Sequence, residues 1–278
     1  MIPYTRKTLP NGLTVVVNRD RASKLAAVNI LYRVGARNEN PARTGFAHLF
    51  EHLMFRGTRA VENFDLPVQM ASGDNNAFTN NDYTDFYITL PKDNLETALW
   101  LESDRMEGLD ITPTKLEAEK KVVIEEFRQR YLNQPYGDQT MLLRALAYKV
   151  HPYRWAAIGL ATEHIAGATL ADVESFYRAH YRPSNAILSI SADMEEERML
   201  ELAEKWFAPL ADYPSATAAI PQEPVQTQAR RQEVERDVPA STVTVAYHMC
   251  ARTKPDFYTA DLVSDLLSGG DSGRLYTH

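Results

Sequence analysis

The sequence has 278 residues, 44% hydrophobic and 24% charged, the balance of a globular protein with enough apolar material for a sizeable core. A net charge of −7 and a pI near 5.6 leave no basic field for nucleic acid or acidic lipid, so no nucleic-acid partner is expected. The single cysteine, Cys250, excludes an intrachain disulfide and a cysteine metal cluster, and is expected to be a small buried hydrophobe.

The opening residues Met1 to Lys7 lack the apolar run of a signal peptide, and no apolar run of about 18 residues occurs anywhere. A cytoplasmic protein without a membrane span is therefore expected, or a periplasmic one if a leader has been removed. Leu13 to Val17 follows the turn-forming pair Asn11-Gly12 and reads as a strand, as does Ala26 to Val34. Helical patterning then runs from Thr44, the expected N-cap, to Phe55, with Gly57 just beyond. Tyr83 to Leu90 reads as a strand, and Leu95 to Met106 and Leu116 to Leu132 as helices, the second opened by Thr112-Pro113. Leu170 to His180 is a further helix and Ala186 to Ser191 a further strand. Helices and strands in irregular order predict an α+β layer fold.

Residues 211–229, rich in Pro, Ala, Thr and Gln, read as a linker. Beyond them is a weak repeat: Val28 to Arg37 aligns with Val243 to Arg252, matching at Val, Tyr, Ala and Arg. The expected organisation is a first domain over 1–210 that carries the chain's chemistry, the linker, and the start of a second, homologous, non-catalytic domain over 230–278, cut off at His278. A chain with so short a second copy is expected to have little or no activity of its own.

The sharpest local feature is His48-Leu49-Phe50-Glu51-His52. Residues four apart lie on one helix face, so both imidazoles can reach one metal ion, and this ligand type suits Zn²⁺. Glu51 borders the same face, where a carboxylate can take a proton from a metal-bound water without being a ligand. This is the order of the inverted zincin motif. Ala47, Leu49, Phe50, Leu53, Met54 and Phe55 surround these groups, which argues against a merely solvated face. A third ligand can come from the helix Glu117 to Phe127, where Glu119 and Glu126 share one face while Glu117 and Glu125 point elsewhere. An ordinary charged helix balanced by Lys120 and Lys121 is the alternative reading of that segment.

The chain resembles the pitrilysin, insulinase and mitochondrial processing peptidase family, particularly its shorter bacterial branch. The resemblance rests on Arg43 to Thr58, Asn75 to Thr79, Asp82-Tyr83-Thr84, Val122 to Glu126, His151-Pro152-Tyr153, Tyr181 to Ala186 and Leu267 to Tyr276. It implies an antiparallel-rich sheet covered by helices, in tandem-repeat domains of which the second is incomplete. It also implies Zn²⁺ on His48, His52 and Glu126, with Glu51 as general base and Glu119 as a carboxylate orienting a ligand. Asn76 and Ala77 would lie on an edge strand that binds extended substrate, and His151 would shape the cleft or a structural turn. At the repeat's offset Val263, Leu266 and Leu267 fall opposite His48, Glu51 and His52, so the second copy carries no ligands.

Two other features are discounted. Gly269 to Gly273 fits neither a phosphate loop nor a nucleophile elbow and reads as a helix-ending turn. Asp193 to Arg198 lacks the spacing of a Ca²⁺ loop and reads as a solvated helix start. The expected function is zinc-dependent endoproteolysis of peptides or unfolded polypeptides, by a homodimer or a heterodimer with a related subunit. The alternative is a non-catalytic structural or assembly subunit that keeps the fold.

Overall fold

The computed structural model describes residues 2–213 and 219–277, which divide into two units, Met1–Asp237 and Val238–His278. The first is built on strands β1 (Thr5–Thr8), β2 (Thr14–Arg19), β3 (Leu25–Tyr32), β4 (Asp74–Thr79), β5 (Thr84–Pro91) and β6 (Ala186–Ala192). They form one sheet in the order β1-β2-β6-β3-β5-β4. Every neighbouring pair is antiparallel except β2 with β6. Period-2 patterning explains the sheet's buried side: Ala26, Val28, Ile30 and Tyr32 of β3 are buried while Leu25 and Ala27 face outward. The fold is α+β, with a mostly antiparallel sheet covered by helices.

Those helices are α1 (Phe46–Leu53), α2 (Asp65–Met70), α3 (Leu95–Glu107), α4 (Pro113–Phe127), α5 (Gln139–Ala147), α6 (Thr162–Ala166), α7 (Leu170–His180) and α8 (Glu196–Phe207). Packing of α1 on the sheet is aromatic. Phe50 lies 5.0 Å from the Tyr181 ring, which lies 5.0 Å from Tyr32, itself edge-on to Phe86 at 6.0 Å. The metal-motif helix is thus seated on the core rather than on a loop.

Helix starts follow local chemistry. Thr112 caps α4 as expected, its hydroxyl accepting from the Lys115 amide at 3.2 Å, with Pro113 in the first turn. The helix expected over Leu116 to Leu132 is α-helical only to Phe127; Arg128–Leu132 winds into a π-helical turn. The expected cap at Thr44 is corrected: the N-cap of α1 is Gly45, in the left-handed region at φ 93°. The Thr44 hydroxyl is used elsewhere, accepting from the Leu160 amide at 2.8 Å and meeting His164 Nδ1 at 2.8 Å. The acidic run after Asp193 opens α8, as read from the sequence.

In the second unit, α9 (Asp256–Ser268) stops at Gly269, and Gly270 at φ 63° continues the turn before α10 (Arg274–Thr277). Val243 to Arg252, which aligns in sequence with the stretch that holds β3, takes no strand conformation among the described residues. Cys250 is half-buried rather than buried.

The stretch read as a linker is, beyond residues 214–218, which lie outside the described residues, tied to the first unit. The Glu223 carboxylate accepts from the amides of Lys149, Val150 and His151 at 2.8–2.9 Å. Arg230 donates to the Leu146 and Ala147 carbonyls at the end of α5 (3.0 and 2.8 Å), and Arg236 pairs with Asp138 at its start (2.8 Å).

Candidate metal centre

His48 and His52 project from α1 and Glu126 from α4, and one donor atom of each lies within 4.8 Å of the others. Glu126 Oε2 is 3.6 Å from His48 Nε2 and 3.3 Å from His52 Nε2. A tetrahedral ion with bonds of about 2.1 Å holds its ligand atoms about 3.4 Å apart, so this spacing fits Zn²⁺. The donor set fits as well: two imidazoles and one carboxylate suit zinc and leave a fourth position open.

Two of the three donors are oriented by a further group, whereas His48 Nδ1 is buried without a hydrogen-bond partner. The other ring nitrogen of His52, Nδ1, lies 3.5 Å from Glu119 Oε2, and Arg56 pairs with the other oxygen of Glu119. Arg130, in the π-helical turn, holds Glu126 Oε1 at 3.1 Å, leaving Oε2 for the histidines. Glu117 and Glu125 point away, to Lys120 and Arg128.

Burial and charge push the two histidines apart. Burial pulls His48 down to about 4 against the opposing field of Glu126. Burial also pulls on His52, but its hydrogen bonds to Glu119 and Glu126 outweigh that and raise it to about 9. Hydrogen bonding to His52 holds the Glu126 carboxyl below its ordinary range. Glu51 is raised by burial, opposed by the Thr79 hydroxyl and His52. A carboxylate lifted towards neutrality beside a metal-competent triad can exchange protons with water or a leaving group.

Asn76 and Ala77 lie on β4, the last strand of the sheet. The Ala77 amide is covered by its neighbour's Asn76 Oδ1 at 2.8 Å instead of by a strand. His151 serves a turn: its Nδ1 accepts from the Tyr153 amide at 3.1 Å, and its own amide goes to Glu223. Sequence reading missed Arg56, Arg130 and Glu39. Arg130 was discoverable, being four residues beyond Glu126 on the same helical path. Glu39, described below, left no periodic signal.

Residues 14–156 match the family model "Insulinase (Peptidase family M16)", and residues 167–278 match "Peptidase M16 inactive domain". The chain belongs to peptidase family M16. Among its M16 relatives, the zinc protease PqqE of Helicobacter pylori is 34% identical over 274 residues, covering 96% of this chain and 62% of the relative. A probable mitochondrial-processing peptidase subunit beta from Arabidopsis thaliana is 26% identical, covering 91% of this chain and 48% of the relative. The chain therefore spans about half to two thirds of the length of these M16 proteins. The crystal structure of a protease from Helicobacter pylori superposes with a TM-score of 0.91 at 31% identity, over 100% of this chain and 68% of that one. An M16 inactive domain from Pseudomonas fluorescens shares the fold at a TM-score of 0.81 and 18% identity, over 99% of this chain and 67% of that one.

Proposed function

We propose that this chain carries the catalytic centre of a zinc metalloendopeptidase acting on extended or unfolded polypeptides. The observation behind this reading is the meeting of His48, His52 and Glu126 at zinc-ligand spacing, with Glu51 beside them. Those three residues would hold Zn²⁺, which when bound acidifies water and polarises a carbonyl. Glu51, steadied by Thr79, takes a proton from the attacking water and returns it to the leaving amine. Glu119 accepts from His52 Nδ1, which turns His52 Nε2 towards Glu126. The free edge of β4 at Asn76 and Ala77 pairs with substrate backbone, aligning the scissile bond. Relatives named zinc proteases support the chemistry. A relative named as a subunit supports assembly with a second copy or a related chain.

The test is elemental analysis together with peptide cleavage by the protein assembled with its partner. About one zinc per chain, lost in His52→Ala and Glu126→Gln, is the expected result. A zinc-loaded protein in which those variants keep wild-type metal content would reject the assignment. The second reading, a non-catalytic subunit, draws on the match of residues 167–278 to an inactive domain. It predicts zinc binding without cleavage of any peptide in a broad library.

A further inference from the structure

Gly45 opens the metal-motif helix and cannot cap it. A Cβ there would come within 2.6 Å of the Ile158 carbonyl oxygen and 2.7 Å of Ile165 Cδ1, and φ is 93°. Serine, threonine and aspartate, the residues that ordinarily cap a helix start, are therefore shut out of position 45. The amides at the start of α1 are nonetheless buried and need an acceptor. Glu39 supplies it from across the loop. Its Oε2 accepts from the Gly45 amide and its Oε1 from the Ala47 amide, both at 2.9 Å. The side chain is only 6% exposed. Trp155 Nε1 donates to Oε2 at 3.2 Å and to the Ala36 carbonyl at 3.0 Å, which fixes the carboxylate from its far side.

We infer that Glu39 is a positioning residue for the metal centre, a remote cap that sets the first turn of α1 and with it the aim of His48. This rests on the zinc reading above. Ala47, which Glu39 grips, directly precedes His48, and the first turn has no side-chain cap of its own. Burial pushes the Glu39 carboxyl up to about 8, opposed by the amides of Ala47 and Gly45 and by Trp155; as the anion that these donors favour, it presents two acceptors to the positive end of the helix. An amide in its place would turn an N–H₂ group on one of the backbone donors. Through Trp155, the cap also ties the helix start to the turn that follows His151.

The experiment measures zinc affinity by chelator competition, and the visible spectrum of the Co²⁺-substituted protein, on the 278-residue chain. The variants are Glu39→Gln, Trp155→Phe and, as a control for lost stability alone, Glu102→Gln. Glu102 is buried against Arg105 and makes no contact with the ligands. Glu39→Gln should weaken zinc binding about 10- to 100-fold and alter the Co²⁺ bands, the range seen for outer groups that orient ligands. Trp155→Phe should fall between it and wild type, so the inference remains testable if Glu39→Gln folds poorly. Glu102→Gln should lower the melting temperature while holding affinity within about twofold. Wild-type affinity and spectrum in folded Glu39→Gln or in Trp155→Phe would overturn the inference, as would an equal loss in Glu102→Gln. Failure of the wild type to bind zinc at all would instead count against the proposed function.

Discussion

Glu51 and His52 are adjacent, yet their surroundings assign them different work. The carboxylates Glu119 and Glu126 face the His52 ring from two sides, whereas Glu51 meets the Thr79 hydroxyl and a desolvating wall. Glu51→Gln should therefore retain zinc while turnover of the assembled enzyme falls about 10²- to 10⁴-fold, the usual contribution of a positioned general base. Parallel metal analysis and peptide kinetics check it; full turnover in the zinc-loaded variant would remove Glu51 from the mechanism. A second residue-scale expectation concerns His180, away from the centre, packed 4.6 Å from Phe176. Burial, helped by Arg182, lowers it to about 4. Its folded form resists protonation that the unfolded chain accepts near its ordinary value, about 6.5. Stability from this group is thus complete above about pH 6.5 and lost as pH falls towards 4, by about 3 kcal/mol in total. Denaturant unfolding of wild type and His180→Gln across that window should give curves that converge at low pH. Parallel curves would show that the ring titrates normally.

At the scale of the element, α1 depends on a backbone shape that only glycine adopts comfortably. Gly45→Ala should cost about 2 kcal/mol or more, combining the left-handed φ with the approach to Ile158. Gly108→Ala, with open space around the added carbon, should be nearly neutral. Thermal unfolding of the two variants distinguishes them, and equal stability would mean that the Gly45 turn can relax. The same dependence bears on how accurately α1 presents the two histidines proposed as ligands. Its far side is locked through Phe50 onto the Phe176, Tyr177 and Tyr181 rings, so the polar side has one orientation. Helix α4 brings the third proposed ligand, Glu126, from a different part of the sequence, with its own cap at Thr112.

For the whole molecule, the first unit ends at Asp237, and residues 219–237 lash its α5 side through Glu223, Arg230 and Arg236. A chain ending at 237 should keep both zinc affinity and melting temperature. One ending at 210 should bind zinc with a melting temperature lower by about 3–6 °C, equivalent to one or two kcal/mol in a domain of this size. Differential scanning calorimetry of the two chains decides this; identical melting would show the strap to be energetically idle. Loss of zinc from the shorter chain would show that the strap reaches the metal centre.

The grouping of side chains in the candidate metal centre was largely legible in the residue order because helical spacing is a local rule. His48 and His52 had to share a face, and Glu119 and Glu126 had to share another, wherever the helices went. The strands β2, β3, β5 and β6 were legible from alternation, a local rule of the same kind. Other features depend on groups far apart in the chain. Thr44 satisfied every local criterion for a cap, but the fold gave its hydroxyl to Leu160 and His164 and gave the capping to Glu39. Val243 to Arg252 shares residue types with the stretch that holds β3, yet it takes no strand conformation among the described residues, since strand pairing is not a local property. Residues 219–237, the end of the stretch read as a linker and the charged run after it, are held by single charged side chains that no periodicity marks. The sequence by itself determined which donors could serve a zinc ion and which helices carry them. Only the tertiary structure decided what holds those donors still, because burial and long-range hydrogen bonds exist only once distant segments have met.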